Sequence, residues 1–227
     1  MYDIIIFDFD GTLVDSDRVI DQLMEHFVDR YQMQPMDRQS FDELKSLPLR
    51  EKIRKTGLPL YKLPRLVKEV KQSYANHIDL LELVPGIENL IKDLAGQSKR
   101  LFILSSNASD NIVRFLKHHE IDQFEAVYSA PDLMRKDKGI RQLLKKHQLN
   151  AKKVIYIGDE LRDIAACQKI PIDIAAVTWG HDTKNLLQTG NPNYLISRPD
   201  ELYHILNSAQ NHQDTAFSLN MSSKASH

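Results

Sequence analysis

Two aspartates, Asp8 and Asp10, stand two residues apart directly after the first apolar run of the chain, Ile-Ile-Ile-Phe at 4–7. A short, continuous run of branched and aromatic residues is typical of a parallel strand buried on both faces. Open α/β sheets bind ligands beyond the carboxyl ends of such strands. Two carboxylates this close repel each other unless a metal ion or a shared proton relieves the repulsion. The residues therefore predict a metal-assisted nucleophile site; the alternative is a polar turn in which an aspartate caps a helix.

Further polar groups follow three later strand-like runs, each just beyond the end of the run. Taken singly, each group has a structural explanation as a helix cap or a solvated surface charge. Because the carboxyl ends of parallel strands meet at one edge of a sheet, the groups together predict one site with several acids, a hydroxyl and an ammonium. They are Ser106 with Asn107, Lys136, and the run Gly158-Asp159-Glu160 with Asp163.

Strand-like and helical patterns alternate strictly from residue 84 onward. The apolar runs predict strands over 100–105, 126–129, 153–157, 172–177 and 194–196, each followed by an amphipathic stretch of helical spacing. Repeated strand–helix units of this length predict an α/β fold, a doubly wound, Rossmann-like parallel sheet.

Residues 17–82 contain no convincing strand and are interrupted by prolines, including Pro35 and Pro48. They predict helices, the longest over about 61–81, and we interpret them as an α-helical cap inserted into the sheet domain. Residues 1–16 and 83–207 then form the Rossmann-like catalytic core. The polar tail, 208–227, has too few apolar residues to offset the entropy of ordering, and we expect it to be disordered.

The composition is that of an ordinary globular protein, with 42% hydrophobic and 27% charged residues among 227. A net charge of −1 gives no electrostatic footprint for nucleic acid or anionic membrane. No apolar run approaches the roughly 18 residues of a membrane span, and a single cysteine, Cys167, excludes an intrachain disulfide. We expect a cytoplasmic protein, a monomer or weak dimer, with no nucleic-acid or membrane partner.

The motifs in their chain order closely resemble the haloacid dehalogenase superfamily of phosphohydrolases. The matching segments are Asp8-x-Asp10-x-Thr12, Ser106-Asn107 after a strand, Lys136, and Gly158-Asp159-x-x-x-Asp163. The resemblance covers about residues 1–206. The helical insert is similar to the small cap of phosphoglycolate-phosphatase-like and β-phosphoglucomutase-like members.

The resemblance implies a role for each matching residue in a phosphate-transfer reaction. Asp8 is expected to attack phosphorus as a carboxylate nucleophile, and Asp10 to act as general acid and then general base. Family members bind Mg²⁺ through side chains that match Asp8 and Asp159 and through the backbone carbonyl that matches Asp10. Mg²⁺ is accordingly the predicted cofactor.

The remaining motif residues are expected to surround the phosphate and the metal. Thr12, Ser106, Asn107 and Lys136 are the predicted phosphate-binding residues, since charge on the transferring oxygens must be stabilised. Asp163 is expected to orient the metal shell or Lys136 without binding the ion directly, and Glu160 to reach the metal through a water molecule.

Lys136 has a competitor two residues away, Lys138, and is followed by Asp137 where more familiar members have proline. Lys136 is preferred because Ile140 and the leucines at 143–144 then lie on the buried face of the following helix.

Arg50 is a candidate for contacting substrate from the cap, because residues 44–51 resemble the cap loop that binds a second phosphate in sugar-phosphate mutases of the family. The alternative interpretation is a surface arginine at a helix start.

The predicted function is Mg²⁺-dependent hydrolysis of a small phosphorylated metabolite, phosphoglycolate-like or a sugar phosphate, through an aspartyl-phosphate. The alternatives are a phosphomutase of the β-phosphoglucomutase type and a non-catalytic binding protein on the same scaffold. A screen of phosphorylated metabolites with and without Mg²⁺ separates them.

Overall fold

The computed structural model describes residues 2–34, 43–130 and 135–207. Six parallel strands form one sheet in the order β5-β4-β1-β6-β7-β8. These strands are β1 Ile4–Phe7, β4 Arg100–Ser105, β5 Phe124–Ser129, β6 Val154–Gly158, β7 Asp173–Val177 and β8 Tyr194–Ile196. Flanked by helices on both faces, this sheet confirms the predicted Rossmann-like α/β fold.

The helices of the described residues cover the insert and both faces of the sheet. They are α1 Asp17–Tyr31, α2 Leu49–Lys55, α3 Leu63–Ala75, α4 Ile87–Gly96, α5 Ser109–His118, α6 Lys136–Lys146, α7 Leu161–Gln168, α8 Lys184–Thr189 and α9 Pro199–Asn207. Within the described ranges, no helix combines the length and the apolarity that crossing a membrane requires.

Both faces of β1 are buried, as its four consecutive apolar residues predict. Ile5 and Phe7 belong to the core that includes Ile91 of α4 and Phe115 of α5. Ile4 and Ile6 belong to a second core on the opposite face, with Ile140 of α6 and Ile164 of α7.

The chain changes direction across the sheet between β1 and β6. The next strand of the large sheet after β1 is β4 on one side, whereas the next after β6 is β7 on the other. Doubly wound sheets bind ligands beyond the carboxyl ends of the strands at such a switch point. Asp8 and Asp159 directly follow the carboxyl ends of these two strands, so the topology brings two distant motifs together.

The helical insert begins and ends at a short antiparallel ribbon, β2 Val14–Asp15 paired with β3 Glu82–Leu83. The prediction that residues 17–82 contain no strand was wrong at Glu82, the first residue of β3. A strand of only two residues has no recognisable sequence pattern. The helix expected over about 61–81 is also shorter: α3 ends at Ala75, and a separate 3₁₀ turn, Ile78–Leu80, buries Ile78 in the core.

The insert is helical between the ribbon strands, and Leu66 of α3 lies in the same core as Val19 and Phe27 of α1. The division into a core of 1–16 and 83–207 and a cap of 17–82 stays a prediction. The expected disordered tail, 208–227, and the helix-breaking role of Pro35 lie outside the described residues.

Candidate active site

Asp8 and Lys136 form an ion pair at the carboxyl end of β1. The Lys136 ammonium is 2.5 Å from Oδ2 of Asp8 and 2.5 Å from Oδ1 of Asp163, and all three side chains are buried. Burial lowers the pKa of Lys136, but the carboxylates of Asp163 and Asp8 outweigh it and raise the pKa above its ordinary value. Lys136 therefore stays protonated. The other carboxylate oxygen of Asp8 accepts a 2.7 Å hydrogen bond from the backbone N–H of Phe9, which fixes the side chain at the strand end.

Asp10 lies beside Asp8 and is held from two sides. Its Oδ2 accepts a 3.1 Å hydrogen bond from Nδ2 of Asn107, and its Oδ1 accepts one from the hydroxyl of Tyr74 on α3. Burial, with a further contribution from Asp8, raises the pKa of Asp10 to about 6, although both hydrogen bonds lower it. A carboxyl group with this pKa can both give and take a proton near neutral pH.

Asp159 is fully buried and holds a charge pair with His181. The backbone N–H of His181 is 2.8 Å and its Nδ1 is 2.7 Å from Oδ2 of Asp159, while the hydroxyl of Thr12 donates to Oδ1 at 2.9 Å. Burial raises the pKa of Asp159, but His181 outweighs it and brings the pKa to about 2. Burial lowers the pKa of His181, but Asp159 raises it to about 10. Both groups are therefore charged at neutral pH.

Arg162 connects the fourth motif to Ser106. Its Nε donates to Glu160 at 2.6 Å, and its Nη2 lies 3.5 Å from the hydroxyl oxygen of Ser106. Asp163 accepts from the backbone N–H of Glu160 at 3.3 Å, completing a capping box at the start of α7. The sequence Glu-Leu-Arg-Asp thus fixes its own local conformation.

The carboxylates of the site outnumber its cations among the described residues. The carboxylates are those of Asp8, Asp10, Asp159, Glu160 and Asp163, and the cations are Lys136, Arg162 and His181. Asp159 and Glu160 each have a cation of their own, whereas Asp8 and Asp163 share Lys136 and Asp10 has none.

A hard divalent cation fits this set of donors. Oxygen atoms of Asp8, Glu160 and Asp163 all lie within 4.8 Å of one another, and carboxylate oxygens are the ligands that Mg²⁺ prefers. Asp8, which shares its cation, and Asp10, which has none, are two of the three residues predicted to contact the metal. Asp159, the third predicted ligand, is turned toward Thr12 and His181.

A cavity of about 410 Å³ lies between this edge and the helical insert. Asp8, Asp10, Ser106 and Asn107 line its sheet side. Its opposite wall is mostly apolar and comes from α1, α2 and α3. The apolar residues of that wall include Ile20, Leu49, Ile53, Leu63, Leu66, Val67 and Val70.

The structure brings most of the predicted residues to this edge but not all of them into the cavity. Lys136 is 3% exposed, whereas its competitor Lys138 is exposed to solvent. Thr12 is buried beside Asp159, outside the cavity lining. Arg50 is exposed on α2, where Lys52 faces the cavity instead.

Three site residues carried no predicted role: Tyr74, His181 and Arg162. His181 had a usable signal, because it lies four residues beyond the end of β7 and therefore near the same sheet edge. Tyr74 had no such signal in the sequence, since its contact with Asp10 depends on how α3 lies relative to the sheet edge.

The chain belongs to the haloacid dehalogenase-like hydrolase family, whose model matches residues 5–177. A phosphoglycolate phosphatase from Synechococcus elongatus is 31% identical over 199 residues, covering 87% of this chain and 94% of that protein. Pyrophosphatase PpaX from Halalkalibacterium halodurans is 26% identical over 208 residues, covering 87% and 94%. The family model and these phosphatase relatives confirm the predicted class of enzyme, a haloacid dehalogenase-like hydrolase of phosphate esters.

Solved structures agree on the fold. A haloacid dehalogenase-like hydrolase from Streptococcus pneumoniae has a TM-score of 0.78 and 27% identity, covering 91% of this chain and 99% of that one. Protein tyrosine kinase A from Mycobacterium tuberculosis has a TM-score of 0.74 and 23% identity, covering 91% and 98%. Because a protein named as a kinase shares the fold, the fold alone does not identify the substrate, which has to be argued from the site.

Proposed function

We propose that this protein is a Mg²⁺-dependent phosphatase that hydrolyses a small phosphorylated metabolite through an aspartyl-phosphate on Asp8. One observation carries the proposal. A fixed carboxylate, Asp8, and a carboxyl group with a pKa of about 6, Asp10, face one cavity at the switch point of the sheet. The phosphoglycolate phosphatase and pyrophosphatase relatives support a small anionic phosphate compound as substrate.

The reaction divides into two displacements at phosphorus. An oxygen of Asp8 bonds to phosphorus while the bond to the leaving oxygen breaks, and Asp10 gives that oxygen its proton. Asp10, now a carboxylate, then takes a proton from water. The water oxygen attacks phosphorus, the bond to Asp8 breaks, and inorganic phosphate is released.

Lys136, Ser106 and Asn107 stabilise the phosphoryl oxygens during both displacements. Lys136 remains cationic beside Asp8, so its charge is available where negative charge spreads over the transferring group. Asn107 holds Asp10 by a hydrogen bond and thereby also orients the acid.

Asp8, Asp159 and the backbone carbonyl of Asp10 would hold Mg²⁺, which would supply positive charge between the nucleophile and the phosphate. Glu160 and Asp163 support this set from outside. Within the described part of the chain, the five carboxylates at the sheet edge exceed its three cations by two, and this excess is the reason to expect a divalent rather than a monovalent ion.

Residues 17–82 act in this proposal as a cap that excludes water from the cavity. Two observations support the assignment: the insert begins and ends at one short ribbon, and Tyr74 contacts Asp10 from α3. The mutase alternative receives no such support, because Arg50 is exposed rather than facing the cavity.

Phosphate release from p-nitrophenyl phosphate and from a panel of phosphorylated metabolites, with and without Mg²⁺, tests the proposal. We expect turnover that excess EDTA abolishes and added Mg²⁺ restores. Undiminished turnover in EDTA would contradict the metal assignment, and no release from any compound would contradict the function.

A further inference from the structure

The cationic side chains that line the cavity differ in whether a carboxylate neutralises them. All but one have such a partner within the described residues. The pairs are Lys45 with Asp17, Lys52 with Asp182, Arg162 with Glu160, and His181 with Asp159. The exception is Lys71 on α3, which makes no hydrogen bond or ion pair with any described residue.

The surroundings of Lys71 disfavour an isolated positive charge. Its side chain is partly buried, and both this burial and the nearby charge of Arg162 lower its pKa. A partly desolvated cation close to a second cation is costly unless an anion joins them. The described protein supplies no such anion to Lys71, whereas a ligand in the cavity can reach it.

Lys71 lies close to the reacting groups along the helix axis. It precedes Tyr74 by three residues on α3, so the two side chains share one helix face and are separated by a rise of about 4.5 Å. Tyr74 contacts Asp10, the proposed proton donor to the leaving oxygen. Since Asp10 and Lys71 line the same cavity, a group linked to that oxygen by a few bonds can reach Lys71.

The apolar side chains of α3 that line the cavity disfavour a polyhydroxylated leaving group. Leu63, Leu66, Val67 and Val70 line the cavity from the same helix as Lys71. Sugar hydroxyls placed against these side chains would lose hydrogen bonds to water without replacement. One anionic group beyond a short linker needs only one cation, which Lys71 provides.

We propose that Lys71 binds a second anionic group on the leaving-group side of the substrate. The substrate is then a small phosphate ester or anhydride whose leaving group carries a carboxylate or a phosphoryl group. This inference rests on the proposed function and specifies the substrate class of the same site.

A matched pair of substrates tests it: 2-phosphoglycolate, and 2-hydroxyethyl phosphate, in which an alcohol replaces the carboxylate. Lys71→Met keeps the length and apolar stem but removes the charge. We expect kcat/KM for 2-phosphoglycolate to fall about 10- to 100-fold, mainly through KM, because a hydrogen bond to a charged group is lost. Turnover of 2-hydroxyethyl phosphate should stay unchanged.

Inorganic pyrophosphate forms a second arm of the same experiment. A Lys71-dependent loss with pyrophosphate alone supports a phosphoryl group, and a loss with 2-phosphoglycolate alone supports a carboxylate. Lys71→Arg should retain most of the preference, and Lys68→Met, which removes an exposed lysine of the same helix, should change nothing.

Equal losses for the charged and the neutral substrate, or no loss with either anion, would overturn the role of Lys71 while leaving the phosphatase intact. If the wild-type protein with Mg²⁺ releases phosphate from none of these compounds, the proposed function fails, and the inference fails with it.

Discussion

The hydroxyl of Tyr74, on a helix of the insert, donates a hydrogen bond to the carboxylate of Asp10 at the carboxyl edge of the sheet. The two residues are 64 positions apart in the chain. Tyr74 is almost completely buried, and its ring belongs to the same core as Phe9 and Phe115. A residue of the insert thus touches the proposed proton donor, which couples the position of α3 to the state of Asp10.

Replacing Tyr74 by phenylalanine should alter the pH dependence of the reaction. Asp10 is protonated below its pKa of about 6, so kcat/KM for an alkyl phosphate should fall as the pH rises through that value. The Tyr74 hydrogen bond lowers this pKa, so Tyr74→Phe should move the fall to higher pH.

Tyr61→Phe is the matched control, since Tyr61 is 78% exposed. Tyr61→Phe should leave the pH dependence of kcat/KM unchanged. An unshifted profile in Tyr74→Phe, or an equal shift in both variants, would show that the contact does not influence Asp10.

Lys136→Met should lower both activity and stability. Asp8 and Asp163 would be left buried without their common cation, and breaking a buried ion pair from one side costs about 3–5 kcal/mol. Urea unfolding should detect this loss. Lys138→Met, two residues away and exposed, should match the wild type in unfolding and in KM. The reverse ranking would assign the phosphate to Lys138.

The predicted metal ligands can be separated from the neighbouring acids by Mg²⁺ titration. Asp159→Asn should raise the Mg²⁺ concentration for half-maximal activity by more than the roughly 10- to 100-fold that outer-shell changes cause. Glu160→Gln should raise the Mg²⁺ concentration for half-maximal activity by an amount within or below that range. A larger effect at Glu160 than at Asp159 would assign the ion to the cluster of Asp8, Glu160 and Asp163.

Gly180 lies where the site has no room for a side chain. A Cβ there would lie well inside van der Waals contact with Asp159 and with the carbonyl oxygen of Gly11. Gly180→Ala should therefore lower the free energy of unfolding by about 1–3 kcal/mol and reduce activity. Gly96→Ala, whose Cβ would meet no neighbour within 4 Å, is the control. Equal thermal stability of the two variants would show that the loop beside Asp159 rearranges freely.

Much of the fold followed from local patterns. The strands Ile4–Phe7, Arg100–Ser105 and Tyr194–Ile196 have the bounds that their apolar runs predict. The proximity of the acids that follow β1 and β6 was predictable because parallel strands end at the same edge of a sheet. This rule holds for the fold in general and does not depend on details of this sequence.

The unpredicted features depend on tertiary packing. The pairing of Val14–Asp15 with Glu82–Leu83 joins segments about 70 residues apart and has no local signal. The helix α3 ends at Ala75 and Ile78 is buried from a separate 3₁₀ turn, an arrangement that a helical pattern alone does not show. For the same reason, the sequence identifies Tyr74 and Lys71 only as residues of an amphipathic helix and does not predict that they line the cavity.

The most direct test of the account is acid-quench trapping of the covalent intermediate in Asp10→Asn. An activated aryl phosphate needs no proton on its leaving group, so the first displacement should proceed in this variant. Hydrolysis of the aspartyl-phosphate lacks its general base in this variant and should slow by about 10²- to 10⁴-fold. Peptide mapping should then find a phosphoryl group on Asp8, and Asp8→Asn should trap none. A phosphoryl group on another residue, or rapid turnover of Asp10→Asn with nothing trapped, would contradict the account.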